Sequence, residues 1–308
     1  MKNQISVREA ITAEETARFW RELGAYHDRD IFANAESEER EYFHGSEYRE
    51  AVQAAHDRAA DRCYYLFFGR GGIDIGFALA SLFTSEDGKL FILEFCVLPE
   101  YRGSGTGHDC AAALLGWARA RGMKYAELNC AEERRIRFWK SLGFVPNGVD
   151  EWGEPLMLLP PEEDIPFTVE AVSAADWQLL KLENGFRSEI GEEPLDDAGQ
   201  ERLKSAVRDD RITFFVLKRG YRCVGMCSVA AAFSSFRCEN VGIFEDFYIE
   251  PVFRGHGGAR LLTDAAHSFG RERGYTDITV TCAPCDEDMY NSLGSRQDLC
   301  ANLFAGSG

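Results

Sequence analysis

Apolar residues recur along the chain in two rhythms, and the whole series comes round twice. Three short runs rich in β-branched and aromatic residues, CYYLFFGR, IGFALASLF and FILEFCVL, follow one another between positions 63 and 98. The runs ITFFVLKR, CVGMCSVAA and IFEDFYIE repeat the pattern between 212 and 250. Runs of this length and composition, separated by glycines and charged residues, predict strands. Each series is preceded by one further strand (ISVREA, FTVEAV) and by helical patterns: ETARFWRELGAY and EYREAVQAAHDRAA in the first half, AADWQLLKLENGF and DAGQERLKSAVRDD in the second. Each is followed by a glycine-rich turn and a helix. HDCAAALLGWARARG places Cys110, Leu114, Leu115 and Ala118 on one face, with Gly122 as the stop. ARLLTDAAHSFGRERG does the same with Leu261, Leu262, Ala265, Ala266 and Phe269, stopping near Gly274. KYAELNC and YTDITVTC alternate as strands, the latter with Thr276, Ile278, Val280 and Cys282 on one face. A last helix ends in SLG in both halves. The predicted order is β-α-α-β-β-β-α-β-α-β, twice. The class is α+β, a mixed α/β architecture in which each half is a central, mixed, mostly antiparallel sheet flanked by helices.

The two halves align residue by residue. FILEFCVLPEYRGSGTG at 91–107 stands against IFEDFYIEPVFRGHGGA at 243–259, pairing Pro99 with Pro251, Arg102 with Arg254, Gly105 with Gly257 and Gly107 with Ala259 at a constant separation of 152. FWKSLG at 138–143 pairs with MYNSLG at 289–294 at 151. A register held over so long a stretch predicts a duplicated domain. The joint is PPEEDIP at 160–166, whose three prolines continue neither a helix nor a central strand. The expected domains are 1–160 and 165–308.

Composition narrows the partners. With 34 Lys+Arg against 51 Asp+Glu the net charge is −17, which disfavours nucleic acid and anionic membrane. Hydrophobic residues make up 45%, which excludes a wholly disordered chain. No run approaches the ~18 apolar residues of a membrane span, and the N-terminus shows no apolar leader. A cytoplasmic protein, monomer or homodimer, is the expectation. Ten cysteines, several inside apolar segments, then read as buried free thiols. One CxxC, Cys282 to Cys285, has no second pair or nearby histidines, so no metal is expected.

The glycine turns carry the chemistry. A strand feeding a glycine-rich turn and a helix is a phosphate site, because the first-turn amides point outward and the helix dipole favours an anion. Neither turn is a Walker loop, since no Lys follows Gly107 or Ala259, and neither completes GxGxxG. Both fit [RQ]-x-x-G-x-[GA]: Arg102-Gly103-Ser104-Gly105-Thr106-Gly107 and Arg254-Gly255-His256-Gly257-Gly258-Ala259. With the preceding VLPEYRG and YIEPVFRG and the late FWKSLGF and MYNSLGS segments, each half resembles the GNAT superfamily of acyl-CoA-dependent N-acyltransferases.

That resemblance implies two tandem GNAT-like domains with acetyl-CoA as co-substrate and no metal. It implies that the pyrophosphate lies on the amides of both turns, and that the pantetheine arm meets main-chain groups around Cys96 and Val97, or Tyr248 and Ile249. Asn129 is a further candidate for the pantetheine amide, or a strand-end cap. In the family a late tyrosine often protonates the leaving thiolate; the second half has Tyr290 there, the first Trp139, whose indole is no useful acid. Candidate bases are Glu94 and Asp246, the latter chosen over Glu245 by register with Glu94; a polar residue on a half-exposed strand is the alternative for each. His108 and His256 stand at the turns, touching phosphate or simply solvated. His27, His44, His56 and His267 show no pairing pattern. The acidic stretches 35–41 and 189–197 are either acceptor-side groups for a polycationic amine or solvated helix faces, and Phe32, Tyr42, Phe43, Tyr48 and Phe186 either wall an acceptor pocket or pack. The expected function is acetyl-CoA-dependent N-acetyl transfer to a primary amine of a small molecule, better served by the second half. The alternatives are a non-catalytic acyl-CoA-binding protein with degenerate halves, and a protein or peptide N-acetyltransferase.

Overall fold

The computed structural model describes residues 5–32, 37–150, 152–161, 165–235 and 237–295. In the first half the elements are β1 (Ser6–Glu9), α1 (Ala13–Tyr26), α2 (Ser37–His44), α3 (Ser46–His56), β2 (Arg62–Arg70), β3 (Ile73–Phe83), β4 (Lys89–Val97), α4 (Thr106–Arg119), β5 (Tyr125–Asn129), α5 (Glu133–Lys140), β6 (Val145–Val149) and β7 (Pro155–Leu159). The second half runs β8 (Phe167–Val172), α6 (Trp177–Glu189), α7 (Asp197–Arg208), β9 (Ile212–Arg219), β10 (Arg222–Ser234), β11 (Glu239–Ile249), α8 (Gly258–Glu272), β12 (Ile278–Val280) and α9 (Glu287–Ser292). Among the described residues the strands form two sheets, ordered β1-β2-β3-β4-β5-β7-β6 and β12-β11-β10-β9-β8. Both are mixed: the pairs β4/β5 and β11/β12 are parallel, and the neighbours leading up to them are antiparallel. The chain divides into two compact units, Met1–Val145 with Leu156–Asp164, and Pro146–Pro155 with Ile165–Gly308. No described helix is long and apolar enough to cross a membrane.

Helix starts follow their caps. Thr12 accepts from the Glu15 amide while the Glu15 carboxylate accepts from the Thr12 amide, closing a capping box on α1. Asp176 and Asp196 cap α6 and α7 by accepting from the amides of Leu179 and Gly199. The first helical region departs from the two-helix expectation. After α1 the chain makes one π-helical stretch, His27–Ile31, and the second segment is two helices broken at Gly45. A Cβ at Gly45 would lie 3.1 Å from the carbonyl oxygens of Glu41 and Tyr42, a tight contact that glycine avoids at the break.

In the first unit the apolar strands bury both faces, as continuous rather than alternating runs predict. Leu66, Phe68, Ala78 and Ala80 meet Cys110, Leu114, Leu115 and Ala118 of α4. Tyr65, Phe67, Phe77 and Leu79 meet Phe19 and Leu23 of α1. In the second unit Phe214, Val216, Met226 and Tyr248 pack on Leu179 and Leu182 of α6 and Val207 of α7. Three predicted details are corrected. Leu261 is exposed, because the buried line of α8 runs through Leu262, Thr263, Ala266 and Gly270. The strand expected from YTDITVTC is only Ile278–Val280, leaving Thr276 and Cys282 outside it. The first half also carries the extra strand β6. The tail expected to hold the last strand of the second half, from Arg296 onward, lies outside the described residues.

Candidate active site

Each unit opens a notch at its central strand. β4 pairs with β3 along its length, with one bulge where Glu94 and Ile92 oppose Leu79 and Ala80. On its other edge β4 meets β5 only through Lys89–Phe91. β11 repeats the plan: Tyr248 and Glu245 oppose Met226 and Ser228, so that Asp246 and Phe247 bulge, and β12 pairs only through Gly242–Phe244. Beyond these short parallel ladders the second edges of β4 and β11 pair with no described strand. An unpaired strand edge is a template for an extended ligand. The bulge at Asp246, whose φ is +47°, re-aims the side chains beside that edge.

The strands end in matching turns. One 3-10 turn, Pro99–Tyr101 or Pro251–Phe253, leads to Arg102 or Arg254. The Arg102 Nε donates to the Val97 carbonyl at 2.8 Å, and its terminal nitrogens donate to Asp30 at 3.1 and 2.5 Å. Arg254 donates likewise to the Ile249 carbonyl at 2.7 Å and to both carboxylate oxygens of Glu189. Burial opposes the charge on Asp30, yet the Arg102 and Arg29 guanidiniums outweigh it and lower its pKa to about 2. These two arginines therefore tie the turn to its strand and to the end of the first helix. Their own amides bond to Pro99 and Pro251, and the Thr106 amide to Gly103.

The remaining turn amides, Gly103, Ser104, Gly105 and Gly107 in one unit and Gly255, His256, Gly257, Gly258 and Ala259 in the other, donate to no described acceptor. Gly105 and Gly257 begin their helices at φ +81° and +86°, and a Cβ on either would meet nothing within 4 Å. Free amides at a helix start, facing open space, form an anion cradle. Gly107 and Gly258 serve packing as well: a Cβ would come within 3.1 Å of Phe138 and 2.4 Å of Leu217.

The carboxylates at the bulges have different surroundings. Glu94 is met by His27, whose Nε2 lies 2.7 Å from Glu94 Oε1. His27 is 1% exposed and ringed by Phe32, Phe43 and Tyr48, with centroids 5.5, 5.5 and 6.4 Å away. The histidine without a sequence partner is thus paired after all, across 67 residues, which no local pattern could announce. In the second unit Asp246 accepts from the Ser228 hydroxyl at 3.0 Å, and its charge reaches Glu183 of α6. Burial pushes the Asp246 carboxyl up, and burial followed by the Asp246 charge pushes Glu183 up to about 8. Neighbouring Glu245 is exposed. Tyr290 packs on Phe247 and Phe244, at centroid distances of 6.0 and 6.2 Å, where β11 and β12 part. Burial raises its pKa to about 12, so the phenol keeps its proton at neutral pH. Trp139 is different: it lies in the core between Phe138, Phe144 and Phe95 at 5.0, 5.1 and 5.3 Å.

A split parallel strand pair ending in an anion cradle, built twice, matches one family model twice. The Acetyltransferase (GNAT) family model covers residues 29–144 and 177–294, most of the chain. The chain belongs to the GNAT family. Among solved structures it is similar to an aminoglycoside acetyltransferase from an uncultured soil metagenomic sample, with 16% identity over 46% of this chain and 97% of that one, TM-score 0.41. It is also similar to glucosamine-6-phosphate N-acetyltransferase from Arabidopsis thaliana, with 16% identity over 45% and 98%, TM-score 0.39. A predicted acetyltransferase with acetyl-CoA from Clostridium acetobutylicum gives 17% over 45% and 96%, TM-score 0.38. Each spans about half of this chain. No curated protein matches the sequence.

The other candidates of the GNAT domains fall as follows. Cys96 and Tyr248 are buried side chains, one in the α1-side core and one against α6, so only their main chains reach a ligand. Burial raises the Cys96 thiol to about 11. Asn129 is exposed at the end of β5, opposite Leu156. His108 Nε2 lies 2.7 Å from the Ser141 hydroxyl, while His256 is exposed. His44 lies 3.2 Å from Asp28, and His56 accepts a place on the Tyr65 ring at 4.4 Å. Of the stretch 35–41, Ala35 and Glu36 lie outside the described residues. In 189–197, Glu189 holds Arg254 and Asp196 caps α7, while Glu192, Glu193 and Asp197 are exposed. Phe186 packs in the core of the second domain. Cys63, Cys96, Cys110, Cys130, Cys223 and Cys227 are buried free thiols, while Cys238, Cys282 and Cys285 are exposed. Cys300 lies outside the described residues. Among the described residues no group of three or more His, Cys, Asp or Glu is placed to hold a metal.

Proposed function

We propose that the protein is an acetyl-CoA-dependent N-acetyltransferase acting on a primary amine of a small molecule, with the second domain as the catalytic one. The observation that carries this is the coincidence, at one notch, of free turn amides, an unpaired edge of β11, a half-buried carboxylate and a protonated phenol. Bound acetyl-CoA supplies a thioester carbonyl and a thiol leaving group. The amides of Gly255, His256, Gly257, Gly258 and Ala259 hold its pyrophosphate, and the β11 main chain around Tyr248 and Ile249 orients the arm. Asp246, whose pKa burial raises above the ordinary carboxylate value, accepts in its ionised form the proton that the attacking amine loses. Tyr290 donates its phenolic proton to the departing sulfur. In the first domain Gly103 to Gly107 form the same cradle, with Cys96, Val97 and Asn129 beside the notch. There Glu94 is held by His27 and Trp139 is part of the core, so this domain binds acyl-CoA without turning it over.

The test is release of free thiol from acetyl-CoA by the full chain across a panel of primary amines. The reading expects turnover with at least one amine, lost in a second-domain variant and retained in a first-domain one. Tight coenzyme A binding with no thiol release for any amine or peptide would instead establish a non-catalytic acyl-CoA-binding protein.

A further inference from the structure

Cys282 and Cys285 have no part in acetyl transfer as proposed above, and the two domains differ at this place. The parallel ladders keep one register: Leu90 opposes Ala126 and Gly242 opposes Ile278, each residue 152 positions from its counterpart. Cys282 therefore stands where the first domain has Cys130. Cys130 is buried, donates its thiol to the Glu132 carbonyl at 3.9 Å, and is followed three residues later by Glu133. In the second domain both cysteines are exposed, as is every residue from Thr281 to Asp286.

The stretch between the two thiols leads straight into the helix that carries Tyr290. Ala283 is extended, with φ −66° and ψ 151°, and a 3-10 turn, Pro284–Asp286, follows it. The Asp286 amide closes that turn on the Ala283 carbonyl at 3.0 Å. α9 starts at the next residue, and Tyr290 on it packs on Phe247 and Phe244 at 6.0 and 6.2 Å. A disulfide requires Cα atoms about 4.4–6.8 Å apart. Between cysteines three residues apart that demand falls on Ala283 and Pro284, and Pro284 has no freedom in φ. Ala283 and the 3-10 turn must therefore adjust. None of the six residues of α9 is buried, so the helix follows the turn.

We propose that Cys282 and Cys285 are a site of thiol oxidation, at which a small disulfide converts the pair into an internal disulfide that displaces α9 and with it Tyr290. The Cys285 thiolate attacks one sulfur of the small disulfide, whose S–S bond breaks and releases a thiolate. The Cys282 thiol then gives its proton to water, and its sulfur attacks Cys285 Sγ, releasing the second thiolate. The protein loses two electrons and two protons, and the small disulfide becomes two thiols. Partial burial, then the Asp286 and Glu287 charges, raise the Cys282 thiol, which suits it to the second attack, where proximity compensates for low acidity. An exposed disulfide is readily reduced, so the change is reversible. Only the effect on turnover rests on the acetyl-transfer reading; the oxidation itself does not.

Treating the reduced full chain with glutathione disulfide, removing the glutathione and mapping tryptic peptides tests this, with hydrogen exchange of α9 and formation of acetylated amine as further readouts. The peptide that contains both cysteines should lose the mass of two hydrogens and regain it with dithiothreitol, and the α9 amides should exchange faster while it is oxidised. Turnover should fall about tenfold or more, a part of the ~10²–10⁴-fold that a placed general acid supplies, and recover on reduction. The double variant Cys282→Ser with Cys285→Ser should turn over like the reduced protein before and after the treatment. Glutathione adducts alone on this peptide, a bond from either cysteine to another thiol, or an internal disulfide that leaves α9 exchange and turnover unchanged overturns the proposal; so does an equal loss of turnover in the double variant. Should that variant not fold, the peptide map and the recovery with dithiothreitol in the unaltered protein decide the matter. A reversible internal disulfide with altered α9 exchange, in a protein that acetylates no amine, would leave this site standing and remove the acetyl-transfer reading; acetylation with no internal disulfide would do the reverse.

Discussion

Replacing Glu183 by glutamine should change how the stability of the second GNAT domain responds to pH. Burial first, and the Asp246 charge second, raise the Glu183 pKa from 4.5 to about 8, with Arg187 acting weakly in the opposite sense. The sign follows from proton occupancy. Between pH 4.5 and 8 the folded domain keeps the Glu183 proton, while the unfolded chain has released it. Stability therefore falls as pH rises through that window, by at most ~1.4 kcal/mol per pH unit. Over the whole window this amounts to ~5 kcal/mol, a large part of the ~5–15 kcal/mol that holds an ordinary domain together. Asp246 shifts in the same direction, so part of the loss belongs to the pair and not to Glu183 alone. Glutamine matches the protonated acid in shape and cannot titrate. Urea unfolding of the full chain at pH 5, 7 and 9, followed by tryptophan fluorescence, should give similar midpoints for the two proteins at pH 5. A widening advantage for Glu183→Gln should appear by pH 9. Parallel pH profiles would refute the reasoning, because they would mean that Glu183 ionises in the folded state as easily as in water.

Gly105→Val and Gly257→Val each place a β-branched residue at positive φ, at a strain of ~1–2 kcal/mol, and fill the open side of one cradle. Each should remove one of two coenzyme A sites by calorimetry, and unchanged stoichiometry in both would refute the cradle. Tyr290→Phe should lower kcat by ~10²–10⁴-fold with little change in coenzyme A affinity; near-normal turnover in this variant, with a dead Gly105→Val, would move catalysis to the first domain. Arg254→Lys keeps the charge but cannot reach the Ile249 carbonyl and both Glu189 oxygens together, so thermal unfolding should show a loss of ~1–2 kcal/mol; an unchanged melting temperature would show that the fork is dispensable.

What the sequence determined by itself is whatever depends on short-range pattern. The apolar runs predicted the central strands because buried β-structure needs several successive apolar residues. The 152-residue register disclosed the duplication, and RGSGTG and RGHGGA disclosed the anion cradles, because a helix start with free amides is built by residues adjacent in the chain. Other features depend on residues that only folding brings together. Arg102 and Arg254 open the two turns in the sequence, with no sign of what their side chains meet; their guanidiniums reach back to Asp30 and Glu189, 72 and 65 residues earlier. Trp139 and Tyr290 occupy equivalent motif positions, but one fills the core and the other stands at the strand split, since neighbours decide what a side chain faces. His27 gave no sign of its partner Glu94. Glu183 lies in the predicted helix AADWQLLKLENGF, where no local pattern ties it to Asp246, whose charge reaches it only because α6 lies on the sheet. Pattern along the chain specifies the backbone and its free amides; which charges are left without a counter-charge is decided by tertiary packing, because electrostatic balance in a low-dielectric interior is set by distance in space.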